Sequence, residues 1–169
     1  MLVGQDYVAT LARYHGWANT RLANVCEQLP DEEYFRTRPA FFRSIHGTLN
    51  HILLADRIWL SRIRGDQPVK AKLDTILYDD REELRRARSE EDRKIVALVE
   101  GMSPQQIERV LHYRNTSGTV FETPMAWVLA HLFNHGTHHR GQIHDMLSQT
   151  SVAPPSLDLM HFIRETAAV

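Results

Sequence analysis

His131-Leu132-Phe133-Asn134-His135-Gly136-Thr137-His138-His139-Arg140-Gly141-Gln142-Ile143-His144 places five of the chain's ten histidines within fourteen residues. On a helix, side chains four apart share a face at about 6 Å separation, so His131/His135 or His135/His139 could share one metal ion. At about 100° per residue, Met125, Leu132, Gly136 and Ile143 fall near one meridian. His139 lies about 40° from that apolar stripe and His135 about 80°, whereas His131 and His138 lie about 120–140° away. The pair expected to face the interior is His135 and His139. Gly136 stands where the His-Glu-x-x-His peptidase motif carries its general-base Glu, so this is not that motif. Taken alone, the pair fits hydrogen-bonded core histidines as well as it fits a metal. A catalytic site usually takes three protein ligands and keeps one position open, so a third would have to come from elsewhere.

The chain of 169 residues is long enough for a sizeable core, and one domain spanning 1–169 is expected. A net charge of −1 offers no basic field for nucleic acid. The lone cysteine, Cys26, excludes an internal disulfide and fits a reducing compartment. It sits in an apolar helical stripe and reads as a small buried hydrophobe. No apolar run approaches membrane-spanning length, and the N-terminus has no signal-peptide pattern. A cytoplasmic protein without membrane attachment is expected.

Apolar residues three and four apart predict a first long helix over Gln5 to Leu29, closed by Pro30. Tyr14, Trp17 and Asn19 within it read as ordinary packing and polar residues. Ser44 is the expected N-cap of a second helix that ends before Gly65. That helix is apolar on most sides, and its periodicity does not say whether His46 or His51 faces the interior site. A third helix starts at Asp79 or Asp80, each followed by a capping-box Glu, and ends near Gly101. Its charged first half, Asp80 to Lys94, reads as a solvated face with i,i+4 pairs Glu82/Arg86 and Glu90/Lys94. A short β-hairpin is expected around Asn115-Thr116-Ser117-Gly118, between Val110–Tyr113 and Thr119–Phe121. Thr123 as N-cap and Pro124 at the first position then open the histidine helix, which runs to about Gln149. Ser156 is positioned to cap a short terminal helix through Arg164.

Four long amphipathic helices predict an all-α four-helix bundle, whose core is a common place for metal sites. The connections after the second and third helices are too long for simple hairpins, so a crossover connection is expected. An apolar surface on several sides of the second helix also predicts a homodimer.

Beyond periodicity, the chain resembles the DinB/YfiT-like family of metalloenzymes, which is unrelated to the polymerase sharing the DinB name. The resemblance rests on Tyr14-x-x-Trp17-x-Asn19, on Gly47 to Asp56 with Asn50-His51 at its centre, and on Asn134-His135-x-x-His138-His139-Arg140-Gly141-Gln142. The terminal Leu157-Asp158-Leu159 is similar too. It implies a four-helix bundle of crossed connectivity, often dimeric, with one divalent metal ion held by His51, His135 and His139. His51 enters through the resemblance alone. Such a site could hold zinc, nickel or iron, and the sequence assigns no separate catalytic residue. The expected function is a metal-dependent enzyme that activates a thiolate or water, as a thiol-dependent transferase or a hydrolase. The substrate would be a small molecule, with a low-molecular-weight thiol as candidate partner. The alternative is a non-catalytic dimeric bundle with a structural metal or none. Asn50, Asp56, Asn134, Arg140 and Gln142 are candidates for groups supporting the ligands, although each also reads as a surface or packing residue.

Overall fold

Four long helices carry the chain: α1 (Gln5–Cys26), α3 (Ile45–Arg64), α4 (Arg81–Glu100) and α6 (Met125–Ser148). Between and after them lie α2 (Asp31–Phe35), α5 (Pro104–Glu108), an antiparallel hairpin of β1 (Val110–Arg114) and β2 (Val120–Pro124), and α7 (Leu159–Ala167). The computed structural model describes residues 4–115 and 117–167. Among these, no helix is long and apolar enough to cross a membrane.

Local chemistry sets the helix ends. Ser44 Oγ accepts the Gly47 N–H at 2.9 Å to start α3, and Gly65 stops it with φ +74°, a conformation that costs glycine little. Asp80 caps α4 by accepting from the Glu83 N–H at 2.8 Å. Several boundaries differ from the sequence expectation. α1 ends at Cys26, and Glu27, Gln28 and Leu29 finish as a tapering turn bonded back to Ala23, Val25 and Cys26. α2 and α5 were not anticipated, because five residues are too few for a periodic signal. Thr123 does not cap α6: it pairs with Leu111, and the strand continues through Pro124. α7 begins at Leu159, three residues beyond the Ser156 cap that was expected.

α1 packs against α4 and α6, and α3 packs against the same two. α1 and α3 therefore occupy opposite corners, as do α4 and α6. The crossings fall after α1, through α2 and the loop to Ser44, and after α4, through α5 and the hairpin. The long connection after α3 joins neighbours instead. α3 is the central element, with fourteen of its twenty residues buried. Ile45 and Ile52 meet Leu22, Ile143 and Leu147; Leu60 and Ile63 meet Ile95, Val99 and Leu129; Leu53 meets Leu84 and Ala87. The apolar sides of α3 are thus covered within the chain, which removes the reason first offered for a second copy.

One polar network crosses this core. Asp56 on α3 accepts from Arg88 Nη1 of α4 at 2.7 Å and pairs with His15 Nε2 of α1 at 2.9 Å. Arg88 Nη2 lies 2.8 Å from Asp92, and Asp92 accepts from Asn19 Nδ2 at 2.8 Å. Arg140 of α6 donates to Asn19 Oδ1 at 3.0 Å and lies 3.1 Å from His15 Nδ1. Arg140 is 1% exposed and Asp56 likewise 1%. Arg88, Glu91 and Asp92 are buried, so the reading of this part of α4 as a solvated face was wrong. They occupy the same helical stripe as Leu84, Ile95 and Val99, and their charge is met by α1 and α3 instead of water. Glu82 pairs with Arg85 where Arg86 was expected, while Glu90 meets Lys94 at 3.0 Å. Gly136 makes room for the network: a Cβ there would stand 2.5 Å from His15 Cε1.

Burial alone would raise the Asp56 carboxyl, but the His15 and Arg88 charges and hydrogen bonds outweigh it and hold the group at about 2, below its ordinary 3.8. Between those values the unfolded chain binds a proton that the folded chain does not, so stability falls as pH drops through that window and is unaffected by this group above it. Asp56→Asn removes the carboxylate shared by buried Arg88 and His15 and leaves the guanidinium with Asp92 alone. It should lower the unfolding free energy at neutral pH by about 3–5 kcal/mol in urea titrations. It should also flatten the loss of stability between pH 4 and 2. An unchanged midpoint at neutral pH would show that the network is dispensable.

Candidate metal centre

His51 from α3 and His135 and His139 from α6 point into one space. Their ligating nitrogens lie within 4.8 Å of one another. His135 Nε2 is 3.0 Å from His139 Nε2 and 3.3 Å from His51 Nε2. His51 and His139 are buried and His135 is half-buried. The remaining histidines of the quoted stretch stand outside the group. His131 packs its ring on Trp59 at 5.1 Å, and exposed His138 lies 3.1 Å from the Gln142 amide nitrogen. His46, which periodicity could not separate from His51, faces the other way, against Tyr34, Phe35 and Asn50.

The far sides of two imidazoles are engaged. His51 Nδ1 lies 2.8 Å from the Leu73 carbonyl, which can only accept, so Nδ1 carries the proton and Nε2 presents a lone pair. His139 Nδ1 likewise donates to Gln142 Oε1 at 2.8 Å, while the Gln142 amide N–H₂ donates to His138. Two bare nitrogens thus face a third imidazole nitrogen. His135 can donate to one of them but not to both, so the cluster is repulsive without an electropositive centre. Ligand nitrogens about 2.0–2.1 Å from a tetrahedral ion stand about 3.3–3.4 Å apart, close to the observed spacing. The residues fit a divalent ion.

Electrostatics agree. Burial lowers the proton affinity of all three rings. For His135, burial followed by the neighbouring His139 and His51 imidazoles brings the value down to about 3. Neutral imidazole is the metal-binding form. The Nδ1 of His135 is buried and has no partner among the described residues.

Two loops complete the surroundings. Asn50 Oδ1 accepts from the Leu77 and Tyr78 N–H groups at 2.8 and 3.1 Å, which pins the connection after α3 and delivers the Leu73 carbonyl to His51. On the other side, Phe42 stacks on His51 at 3.8 Å between centroids and meets His139 edge-on at 5.5 Å. Its loop is tightly made. Arg43 adopts φ +67°, the Arg38 N–H donates to the Arg43 carbonyl, and a Cβ at Gly47 would collide with the Phe42 carbonyl. Buried Arg38 anchors the loop to Glu33 at 2.6 Å. Neither Phe42 nor Leu73 carried a signal in the sequence, since both lie in irregular segments. Of the five supporting candidates, Gln142 holds His139 by a hydrogen bond, Asn50 holds a loop, Asp56 and Arg140 belong to the core network, and Asn134 is exposed. The Tyr14-x-x-Trp17 residues fix the C-terminal segment: Tyr14 donates to the Leu157 carbonyl at 2.7 Å and Trp17 to Glu165 at 2.8 Å.

A model of the DinB family matches residues 1–168. The chain is 30% identical to Protein DinB of Bacillus subtilis (strain 168) over 172 residues, covering 95% of this chain and 97% of that protein. Among solved structures, a DinB-like protein from Bacillus cereus ATCC 10987 is similar with TM-score 0.66 at 19% identity, over 85% of this chain and 91% of that one. YfiT from Bacillus subtilis, described as a probable metal-dependent hydrolase with an unusual four-helix bundle topology, is similar with TM-score 0.65 at 14% identity, over 87% and 89%. The DinB-like protein YjoA from Bacillus subtilis gives 0.60 at 15%, over 88% and 97%. With nearly its whole length matched in sequence and its bundle shared with these structures, this chain belongs to the DinB family.

Proposed function

We propose that the chain is a metal-dependent enzyme in which His51, His135 and His139 hold one divalent ion, zinc, nickel or iron. The convergence of three imidazole nitrogens, two with their opposite nitrogens already donating, carries this reading. When bound, such an ion would supply Lewis-acid activation of a water or thiol. Leu73 and Gln142 orient the rings and fix their tautomers, and Phe42 covers one side of the cluster. Among the described residues, no carboxylate or thiol joins the three nitrogens, and Cys26 is buried in a separate core cluster. Three protein ligands leave room for a small molecule, and a low-molecular-weight thiol is the partner this reading favours. The neighbour described as a probable metal-dependent hydrolase supports the same class of chemistry.

Metal binding separates the histidines. Isothermal titration with zinc should give one ion per chain for the natural protein and for His138→Ala, and none for His139→Ala. Gln142→Leu should retain the stoichiometry while weakening affinity by roughly 10–100-fold, since it leaves the His139 Nδ1–H without its acceptor. Equal losses at His138 and His139 would place the site on the wrong face of α6.

Cobalt substitution tests whether the site is open. Added thiol should produce a new charge-transfer band and shift the visible spectrum of the cobalt-loaded protein. A spectrum indifferent to thiols, azide and pH would mean a saturated structural ion, and the enzymatic reading would fail.

A further inference from the structure

The histidine face of α3 continues beyond the metal centre. Ala55, Ile58 and Arg62 follow His51 at offsets of four, seven and eleven residues, so Arg62 lies on the same face, roughly 16 Å along the axis. Its side chain turns back toward the centre: the guanidinium carbon stands 4.6 Å over the Trp59 ring and 5.1 Å from the Tyr113 ring of the hairpin. Trp59 in turn contacts His131, whose ring is 5.8 Å from that of His135. A continuous row of Arg62, Trp59 and His131 thus leads to the ligand cluster.

Arg62 is half-buried, yet among the described residues its side chain makes no ion pair and no hydrogen bond. A guanidinium has five N–H donors, and aromatic faces leave all of them unused. Burial lowers its proton affinity, which marks the cost of holding the charge there without an anion. Beside it runs a groove of about 560 Å³ between the segment after α3 and the hairpin, with Ile58, Val69 and Val120 in its wall. Arg114 also lines this groove and among the described residues has no carboxylate partner, donating to the Gly118 carbonyl, whereas the acid there, Asp66, is occupied by Arg64 at 3.1 Å. The groove is therefore apolar with uncompensated positive charge.

We propose that Arg62 and this groove are the recognition site for an oxyanion, a carboxylate or phosphate, on an elongated small molecule whose reactive end lies at His51, His135 and His139. This rests on the metal-centre reading and narrows its substrate class. Trp59 and Tyr113, edge-on to each other at 5.2 Å, both pack on the guanidinium without accepting its N–H groups, which leaves these free for two parallel hydrogen bonds to the anion. An apolar linker of the ligand would run along Ile58 and Trp59.

The test uses mercaptooctanoate and mercaptooctanol, equal in length and differing in the terminal oxyanion. Titrated into cobalt-loaded protein by visible absorption, the acid should bind tenfold or more tightly than the alcohol. Arg62→Met should abolish that preference while leaving alcohol affinity and cobalt stoichiometry unchanged, and Arg64→Met should keep it. Equal binding of acid and alcohol by the natural protein, or a preference surviving in Arg62→Met, overturns the proposal. A second arm needs no metal: octanoate and inorganic phosphate are titrated into metal-free protein while the arginine Nε–H resonances are followed by NMR. Displacement of the Arg62 resonance supports the anion site even where cobalt fails to bind, an outcome that would sink only the metal-centre reading. An unmoved Arg62 resonance with both probes overturns the anion site on its own.

Discussion

The Asp56 carboxylate holds the bundle in register. It sits on α3, receives Arg88 from α4 and meets His15 from α1, and through His15 and Asn19 it reaches Arg140 on α6. All four long helices are thereby tied by one set of buried polar and charged groups, whose burial makes an unpaired member costly. The histidine cluster depends on that register. His139 precedes Arg140, and His135 precedes Gly136, whose missing side chain lets His15 approach. His51 lies on the helix that carries Asp56. A slip of α6 along α3 would break the network and separate His51 from the α6 pair together.

Crossed connectivity gives the long loops their work. Because α1 and α3 stand at opposite corners, the chain between them crosses the bundle and lays Phe42 on His51. The connection after α3 has no corner to cross. Its length instead brings the Leu73 carbonyl to His51, under the control of Asn50. Adjacent residues of α3 thus do different jobs: Asn50 fixes a loop and His51 receives the carbonyl that the loop presents. The backbone hydrogen bonds made by Asn50 explain why an amide stands beside the histidine.

Much of this was legible in the sequence, and the misses have physical causes. The stripe through Met125, Leu132, Gly136 and Ile143 is buried, and its phase placed His135 and His139 inward of His131 and His138. Ser44, Gly65 and Asp80 marked helix ends because their side chains or backbone conformations act locally. Periodicity could not choose between His46 and His51, since both lie on buried sides of a helix surrounded by packing. It also misjudged Arg88 and Asp92. Charged residues usually mark solvent, and only their position in the stripe of Leu84, Ile95 and Val99 signalled burial. Phe42 and Leu73 act from loops through tertiary contacts alone, which no local pattern encodes.

In the proposed centre three imidazoles, and no other side chains, bind one ion. Metal-edge X-ray absorption on protein stripped by chelation and reloaded with zinc reads that ligand set directly. Three imidazole scatterers are expected at about 2.0–2.1 Å, with the shell completed by light oxygen atoms from solvent. Sulfur in the first shell, a fourth imidazole, or an ion with fewer than three imidazoles would contradict it.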